Sequence, residues 1–270
     1  MHAVAAYHYR TLQVAVSAKI LTVTLHRPTK KNAMSFAMMH ELCDIATRVQ
    51  ADKDIRAVII NGAEGTFCAG IDLSELNQPK NKAFALWELI KPKQSLFQRV
   101  CLIWQEVPVP VIAVLEGHCI GAGLQLALAC DVRISHSDCK LSIMEAKWGL
   151  VPDMGLTQSA LGIVRADRLK ELAMSARLID GRQAEHWGLV SHCSESPLLH
   201  AQNLAAEFAQ LSPDAVLASK RIINSMYQQS AMTLYKEKLW QVKLMLGRNR
   251  KRALKKVKDA SITFSYRQFR

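Results

Sequence analysis

From Val107 to Cys130 the chain is almost continuously apolar, and the interruptions of that run limit what it can become. Pro108 and Pro110 stand at its start, and Glu116, His118 and three glycines lie inside it. A membrane helix needs roughly 20 mostly apolar residues with no charge near the centre. This stretch fails that test, so it is predicted to be the core of a soluble protein. A buried strand is expected over residues 111–115, ended by Glu116-Gly117, followed by Gly121-Ala122-Gly123 and an apolar helix to about Ala129. Residues 1–10 lack the basic start and long apolar run of a secretion signal. Seven scattered cysteines without a C-x-x-C pair read as reduced thiols in a cytoplasmic setting.

The rest of the pattern is strands crossed by helices. Two β-rich runs, 12–16 and 20–25, are joined by Ser17-Ala18-Lys19 as a hairpin. Ser35 is a helix N-cap candidate, with Met38, Leu42, Ile45 and Val49 at helical spacing. Short strands are expected at 57–60, 132–135 and 141–143. Asp180 with Gln183 reads as a helix start and Gly188 as its stop. Ser212-Pro213 reads as a cap with proline at the first helical position, and helices are expected at about 198–211, 213–229 and 231–246. With 270 residues and no long linker or repeat, an α/β core over 1–195 with a C-terminal helical region over 196–270 is expected.

The net charge of +12 is concentrated at the end of the chain. Residues 236–270 hold twelve Lys/Arg against Glu237 and Asp259, a net of +10, which leaves +2 for the first 235. A basic segment can meet a polyanion, but a solvated helix face is the plainer reading. Between 248 and 258 only Leu254 and Val257 offer an apolar side.

Several chemistries are absent. There is no G-x-S-x-G elbow and no Walker lysine, and Asp44 stands where a second histidine would complete H-E-x-x-H after His40-Glu41. Gly121-x-Gly123 fails the dinucleotide fingerprint at Leu126. The histidines show no ligand spacing, so no metal is expected. Two strand-to-loop junctions remain, Gly65 to Leu73 and Glu116 to Gln125. Small residues at such junctions let main-chain N–H groups approach a ligand, and Ala122 in the first turn of an apolar helix favours an anionic oxygen. Glu145 and Asp153 are carboxylates in apolar surroundings, where burial raises the pKa and suits a group to proton transfer. Asp153 is also a candidate N-cap for a helix after Gly155.

Together these stretches resemble the crotonase (enoyl-CoA hydratase/isomerase) superfamily: His26-Arg27-Pro28 through Asn32-Ala33-Met34-Ser35, Phe67 to Leu73, Gly121 to Asp131, and Glu145 to Gln158. The resemblance implies a crotonase (ClpP-like) spiral of ββα units with C-terminal helices that build a homotrimer or homohexamer. It also implies an acyl-CoA substrate, with no cofactor beyond the coenzyme A moiety. The N–H groups of Ile71 and Ala122 would hold the thioester oxygen. Ala69, Gly70, Asp72, Leu73 and Gly121 would line the substrate and CoA channel, and Arg27 and the basic C-terminal helix would meet its phosphates. Hydratases of the family use two glutamates; Glu145 matches one, and Gln125 stands at the other.

The expected activity is therefore an enoyl-CoA or 3,5-dienoyl-CoA isomerase of fatty acid β-oxidation type. Glu145 would exchange the C2 proton, Asp153 would serve the distal carbon, and Gln125 would orient substrate or water. The alternatives are a hydratase in which Gln125 and Glu145 hold the water, an RNA-binding relative with the same fold, and a catalytically idle relative kept for assembly. Nucleic acid and membrane partners are not expected.

Overall fold

The computed structural model describes residues 8–211, 213–225 and 231–262. β1 (Leu12–Ser17) and β2 (Ile20–Leu25) form the expected hairpin, with Ser17 opposite Ile20. Ala18 and Lys19 both have positive φ, 49° and 65°, the two-residue turn whose twist matches the flanking strands. The Ser35 hydroxyl accepts the Met38 N–H and opens α1 (Phe36–Ala51), which buries Met38, Leu42, Ile45 and Val49 as their spacing predicts. β3 (Ala57–Gly62) then runs parallel to β2.

Three helices that the periodicity does not reveal come next: α2 (Leu73–Leu76), α3 (Pro79–Ile90) and α4 (Leu96–Glu106). α3 hides its signal because it buries Ala85, Glu88 and Leu89 while Leu86, Trp87 and Ile90 face outward. α4 carries a capping box between Ser95 and Gln98.

β4 (Val111–Leu115) and β5 (His118–Ile120) lead into α5 (Ala122–Leu128), and β6 (Val132–Ser135) and β7 (Lys140–Ser142) lead into a 3-10 turn at Glu145–Trp148. Each of these two units sends its first strand into the large sheet and its second into a small one. The large sheet has the order β1-β2-β3-β4-β6-β8, parallel apart from the hairpin; β5 and β7 pair parallel.

The chain continues through α6 (Leu156–Ser159), α7 (Ala166–Ser175), α8 (Gly181–His186) and β8 (His192–Cys193). Asp180 caps α8 by accepting the Gln183 N–H at 2.8 Å. Four helices close it: α9 (Pro197–Gln210), α10 (Pro213–Ser225), α11 (Ala231–Leu246) and α12 (Arg248–Lys258). The expected Ser212 cap, the continuation of that helix over 226–229 and the last basic residues, 263–270, lie outside the described residues.

The apolar runs in β3 and β4 are continuous because the sheet is covered on both faces, as in parallel sheets generally. Val58, Ile60, Val111, Ala113 and Leu115 point into the main core with α1, α4 and α5. Ala57, Ile59, Ile112 and Val114 point the other way, against Ala201 and Ala205 of α9. Each fully buried aliphatic side chain stabilises by roughly 1.5–3 kcal/mol, so this double-sided sheet is the rigid base on which the loops sit.

The two helices after α10 fold back over the same chain. α11 lies against α3 and α6, and α12 lies against the Glu145–Trp148 turn. α12 does not use the apolar side its sequence offers: Leu254 and Val257 are exposed, while Ala253 is buried beside Gly149. Contact with a main-chain turn demands a small residue there rather than a large one. Among the described residues no helix is long and apolar enough to cross a membrane.

Candidate active site

The two glycine-bearing junctions, some fifty residues apart in sequence, lie side by side. Phe67 and Cys68 donate their N–H groups to the carbonyls of Glu116 and His118, at 2.9 and 2.8 Å, and Ile120 N–H returns a bond to Cys68 O at 2.9 Å. Cys68 and Cys119 face each other across this parallel bridge. Gly123 permits the approach: a Cβ there would stand 2.7 Å from both the Cβ and the carbonyl oxygen of Cys68. Gly121 makes the turn into α5 with φ of +52°, a conformation in which an L side chain is strained.

The main chain around Ile71 is held from one side. Met34 N–H donates to Gly70 O at 2.7 Å and Asp72 N–H donates to Met34 O at 3.0 Å. In such a bridge the bonds belong to the residues flanking Ile71, so the N–H of Ile71 itself points away from Met34. Gly70 lies beside Ile120, its Cβ position 3.4 Å from the Ile120 carbonyl. Ala122 is the first residue of α5, and Gly121 supplies no side-chain cap; first-turn N–H groups have no partner within a helix. Ala69 N–H is bound to Lys31 O at 3.0 Å.

Asp72 and Arg27 are tied to each other. Asp72 caps α2 through the Ser74 and Glu75 N–H groups, and Arg27 Nη2 meets Asp72 Oδ2 at 2.8 Å. Burial pushes the Asp72 carboxyl up, but hydrogen bonds from Ser74, Arg27 and Glu75 outweigh it and hold the pKa at about 2. Arg27 also donates to Ala33 O. Its guanidinium thus joins the 27–33 loop to the start of α2, and Leu73 opens that helix with its side chain exposed.

Glu145 sits at the head of the 3-10 turn, beside the start of α5. A Cβ on Gly121 would be 3.4 Å from Glu145 Oε1. Gln125 Nε2 donates to Oε1 at 2.7 Å, whereas Oε2 is buried with no hydrogen-bond partner among the described residues. Burial pushes this carboxyl above its ordinary range, opposed by the bonds from Gln125 and from the main chain at 144–145. Gln125 is fully buried, and its Oε1 accepts Met154 N–H at 3.0 Å. That bond brings the loop carrying Asp153, itself buried, to the same amide that holds Glu145. The N-cap reading of Asp153 is corrected: Gly155, with φ of +89°, occupies that position of α6.

The C-terminal arm completes the surroundings, a contribution with no motif to announce it. Gln241 of α11 accepts Val151 N–H at 3.3 Å. Arg250 of α12 stands against Gly149, with Nη1 buried and unpartnered among the described residues, and burial pushes its pKa down. Among the described residues no group of three His, Cys, Asp or Glu side chains is placed to hold a metal. A cavity of about 780 Å³ lies elsewhere, between α10 and the segments 128–133 and 158–163, and includes none of these residues.

A half-bonded buried acid beside a helix start, on paired loops above a two-sheet α/β frame, defines a crotonase-type fold with a candidate proton-transfer site. The chain belongs to the enoyl-CoA hydratase/isomerase family, whose model matches residues 15–256. It is 37% identical over 237 residues to the mitochondrial Δ(3,5)-Δ(2,4)-dienoyl-CoA isomerase of Mus musculus, covering 84% of this chain and 72% of that one. It is 33% identical over 212 residues to the mouse mitochondrial methylglutaconyl-CoA hydratase, covering 76% and 66%. A solved enoyl-CoA hydratase/isomerase from Pseudoalteromonas atlantica shares the fold with a TM-score of 0.82 at 23% identity, over 95% of this chain and all of that one.

Proposed function

We propose that the protein is an acyl-CoA isomerase that shifts a double bond through an enolate. The observation that carries this reading is the half-satisfied carboxylate of Glu145, with an amide rather than an acid at Gln125. Glu145 Oε2 takes the proton from C2, the electron pair delocalises onto the thioester oxygen, and the N–H groups of Ile71 and Ala122 receive that charge. Each such donor is worth about 3 kcal/mol in a preorganised site. Gly70, Gly121 and Ala69 line the channel with main chain, while Arg27 and Asp72 hold its rim. Arg250 and its basic neighbours on α12 meet the coenzyme A phosphates, and no other cofactor is needed.

The 37% identity to a dienoyl-CoA isomerase supports the longer proton path, with Asp153 at the distal carbon. The identity to a hydratase supports addition of water as the second reading. Product analysis on 2-enoyl-, 3-enoyl- and 3,5-dienoyl-CoA esters decides between them. A 3,5-dienoyl ester converted to the 2,4-isomer, with loss of that conversion in Asp153→Asn, is the expected result. Conversion unaffected by Asp153→Asn leaves a single-base isomerase, and net hydration of the 2-enoyl ester overturns the isomerase assignment.

The assembly belongs to the same proposal. Leu161, Leu211 and Ile223 are exposed around the 780 Å³ cavity, an apolar patch of the kind that marks subunit contacts, and a trimer or a pair of trimers would cover it. Sedimentation of a monomer at micromolar concentration would exclude that. Five of the seven cysteines are buried, which fits a reducing compartment, either the cytosol or the mitochondrion named for the mouse relatives.

A further inference from the structure

Gln125 is a fully buried amide and has little room to orient a substrate. Its two ends are not interchangeable. Met154 N–H can only donate, so the atom facing it at 3.0 Å must be the amide oxygen. That fixes Nε2, which can only donate, against Glu145 Oε1 at 2.7 Å. A carboxyl oxygen receiving that bond cannot also carry a proton directed along it. The other oxygen, Oε2, is buried and has no partner among the described residues.

We propose that Gln125 is a positioning residue that assigns the two oxygens of Glu145, making Oε1 a permanent acceptor and Oε2 the oxygen that gains and returns the substrate proton. The inference rests on the reading of Glu145 as the proton carrier. In the forward step the C2–H bond breaks, its electron pair stays with the substrate as enolate, and an O–H bond forms at Oε2. Asp153 gives the proton of its own O–H bond to the distal carbon, and the O–H bond at Oε2 breaks when its proton passes on to restore Glu145 as the base and Asp153 as the acid. Oε1 stays bonded to Nε2 throughout, so the carboxyl need not rotate between the two halves of the reaction. The Met154 bond supplies the anchor, coupling the orientation of Glu145 to the loop that carries Asp153.

The choice of an amide over an acid follows from the same geometry. A glutamate at 125 would still accept from Met154 N–H, but it would set a second carboxylate 2.7 Å from the first. Two carboxylates at that separation share a proton, and one of them is driven to the neutral form. An amide keeps Glu145 available as a base while still holding it.

The test uses Gln125→Leu, which removes both bonds, and Gln125→Glu, which keeps the Met154 bond and replaces the fixed amide donor with a second acid. Two readouts are taken: kinetics with 3,5-octadienoyl-CoA across pH, and titration of the Glu145 carboxyl by ¹³C NMR, assigned by difference from Glu145→Gln. Both variants are expected to lose about tenfold or more in kcat with KM changed by less than roughly threefold, as for a group that aligns a general base. In both, the Glu145 titration and the acid limb of the rate profile should move to higher pH, further in Gln125→Glu. A merely structural glutamine would lower stability without moving the titration. Loss of turnover in Glu145→Gln with unchanged kcat and titration in both Gln125 variants overturns the positioning role. Retained turnover in Glu145→Gln overturns the proton-carrier reading instead, and the NMR titration still decides whether Gln125 holds the carboxyl.

Discussion

Lys238 and Glu145 are both ionisable groups withdrawn from water, one where the C-terminal arm meets α3 and the other at the candidate site. Lys238 is 1% exposed, and its ammonium lies among the carbonyl oxygens of Glu88, Lys91 and Lys93, at the end of α3. The Glu88 carbonyl belongs to the open last turn of α3, and those of Lys91 and Lys93 follow at and beyond its cap, so three donors meet three acceptors. Lys220 does the same for α10, bonding the carbonyls of Trp104 and Val109 and the Asp131 carboxylate. At Glu145 one oxygen is bonded and the other is not. A buried charge whose hydrogen-bonding capacity is filled holds structure together; one left half filled destabilises the resting fold and keeps capacity for a reacting atom.

The contrast is broken most directly at Glu145. Glu145→Gln should reduce turnover by about 10²–10⁴-fold while leaving the dissociation constant for a saturated acyl-CoA nearly unchanged. The same change should raise the melting temperature. An acid whose pKa is raised by folding stabilises the native state below its ordinary range and loses that contribution as pH rises through the raised value. The gain should therefore be larger at pH 8 than at pH 4, and a lower melting temperature at pH 8 would end the comparison.

Lys238→Met should behave in reverse. Stranding the α3 carbonyls should cost about 3 kcal/mol of unfolding free energy, with kcat of the folded enzyme at 15 °C within about threefold of wild type. A collapse of kcat with unchanged denaturation would move Lys238 from structure to chemistry. The smallest effect is expected at Asp72, a buried carboxylate whose bonds from Arg27, Ser74 and Glu75 fill its capacity. Its carboxyl is held at about 2, so its contribution is present above the ordinary carboxylate range and fades as pH falls toward that value. Asp72→Asn should remove about 2 kcal/mol at pH 7 and little at pH 2, measured by urea denaturation at each pH.

Legibility in the sequence followed the range of the interactions. The hairpin at Ala18-Lys19, the Ser35 cap and the buried strands in β3 and β4 are local events, and local residues announce them. β5 is three residues long and pairs with β7 rather than with its neighbour in the chain, so nothing nearby marks it. α3 is inverted in its polarity because α11 covers the side where Glu88 sits, and α12 inserts Ala253 rather than Leu254. The site was legible as three stretches, since small residues and isolated acids stand out. The bond from Gln125 to Glu145 spans twenty residues, and no spacing rule shows which atom of an amide meets which oxygen. The basic segment shows the same limit: at Lys238, charge that reads as a surface property is used inside.

The facing pair Cys68 and Cys119 gives this molecule a gauge of its own opening. Each thiol lies three residues before one of the candidate amides, at Ile71 and Ala122, and burial pushes Cys68 up to about 11 and Cys119 well above the ordinary thiol value. Neither thiol can be alkylated while the two loops are closed. The labelling rate at these positions, followed by mass spectrometry, therefore counts how often the loops part, and a ligand that engages both amides must slow it.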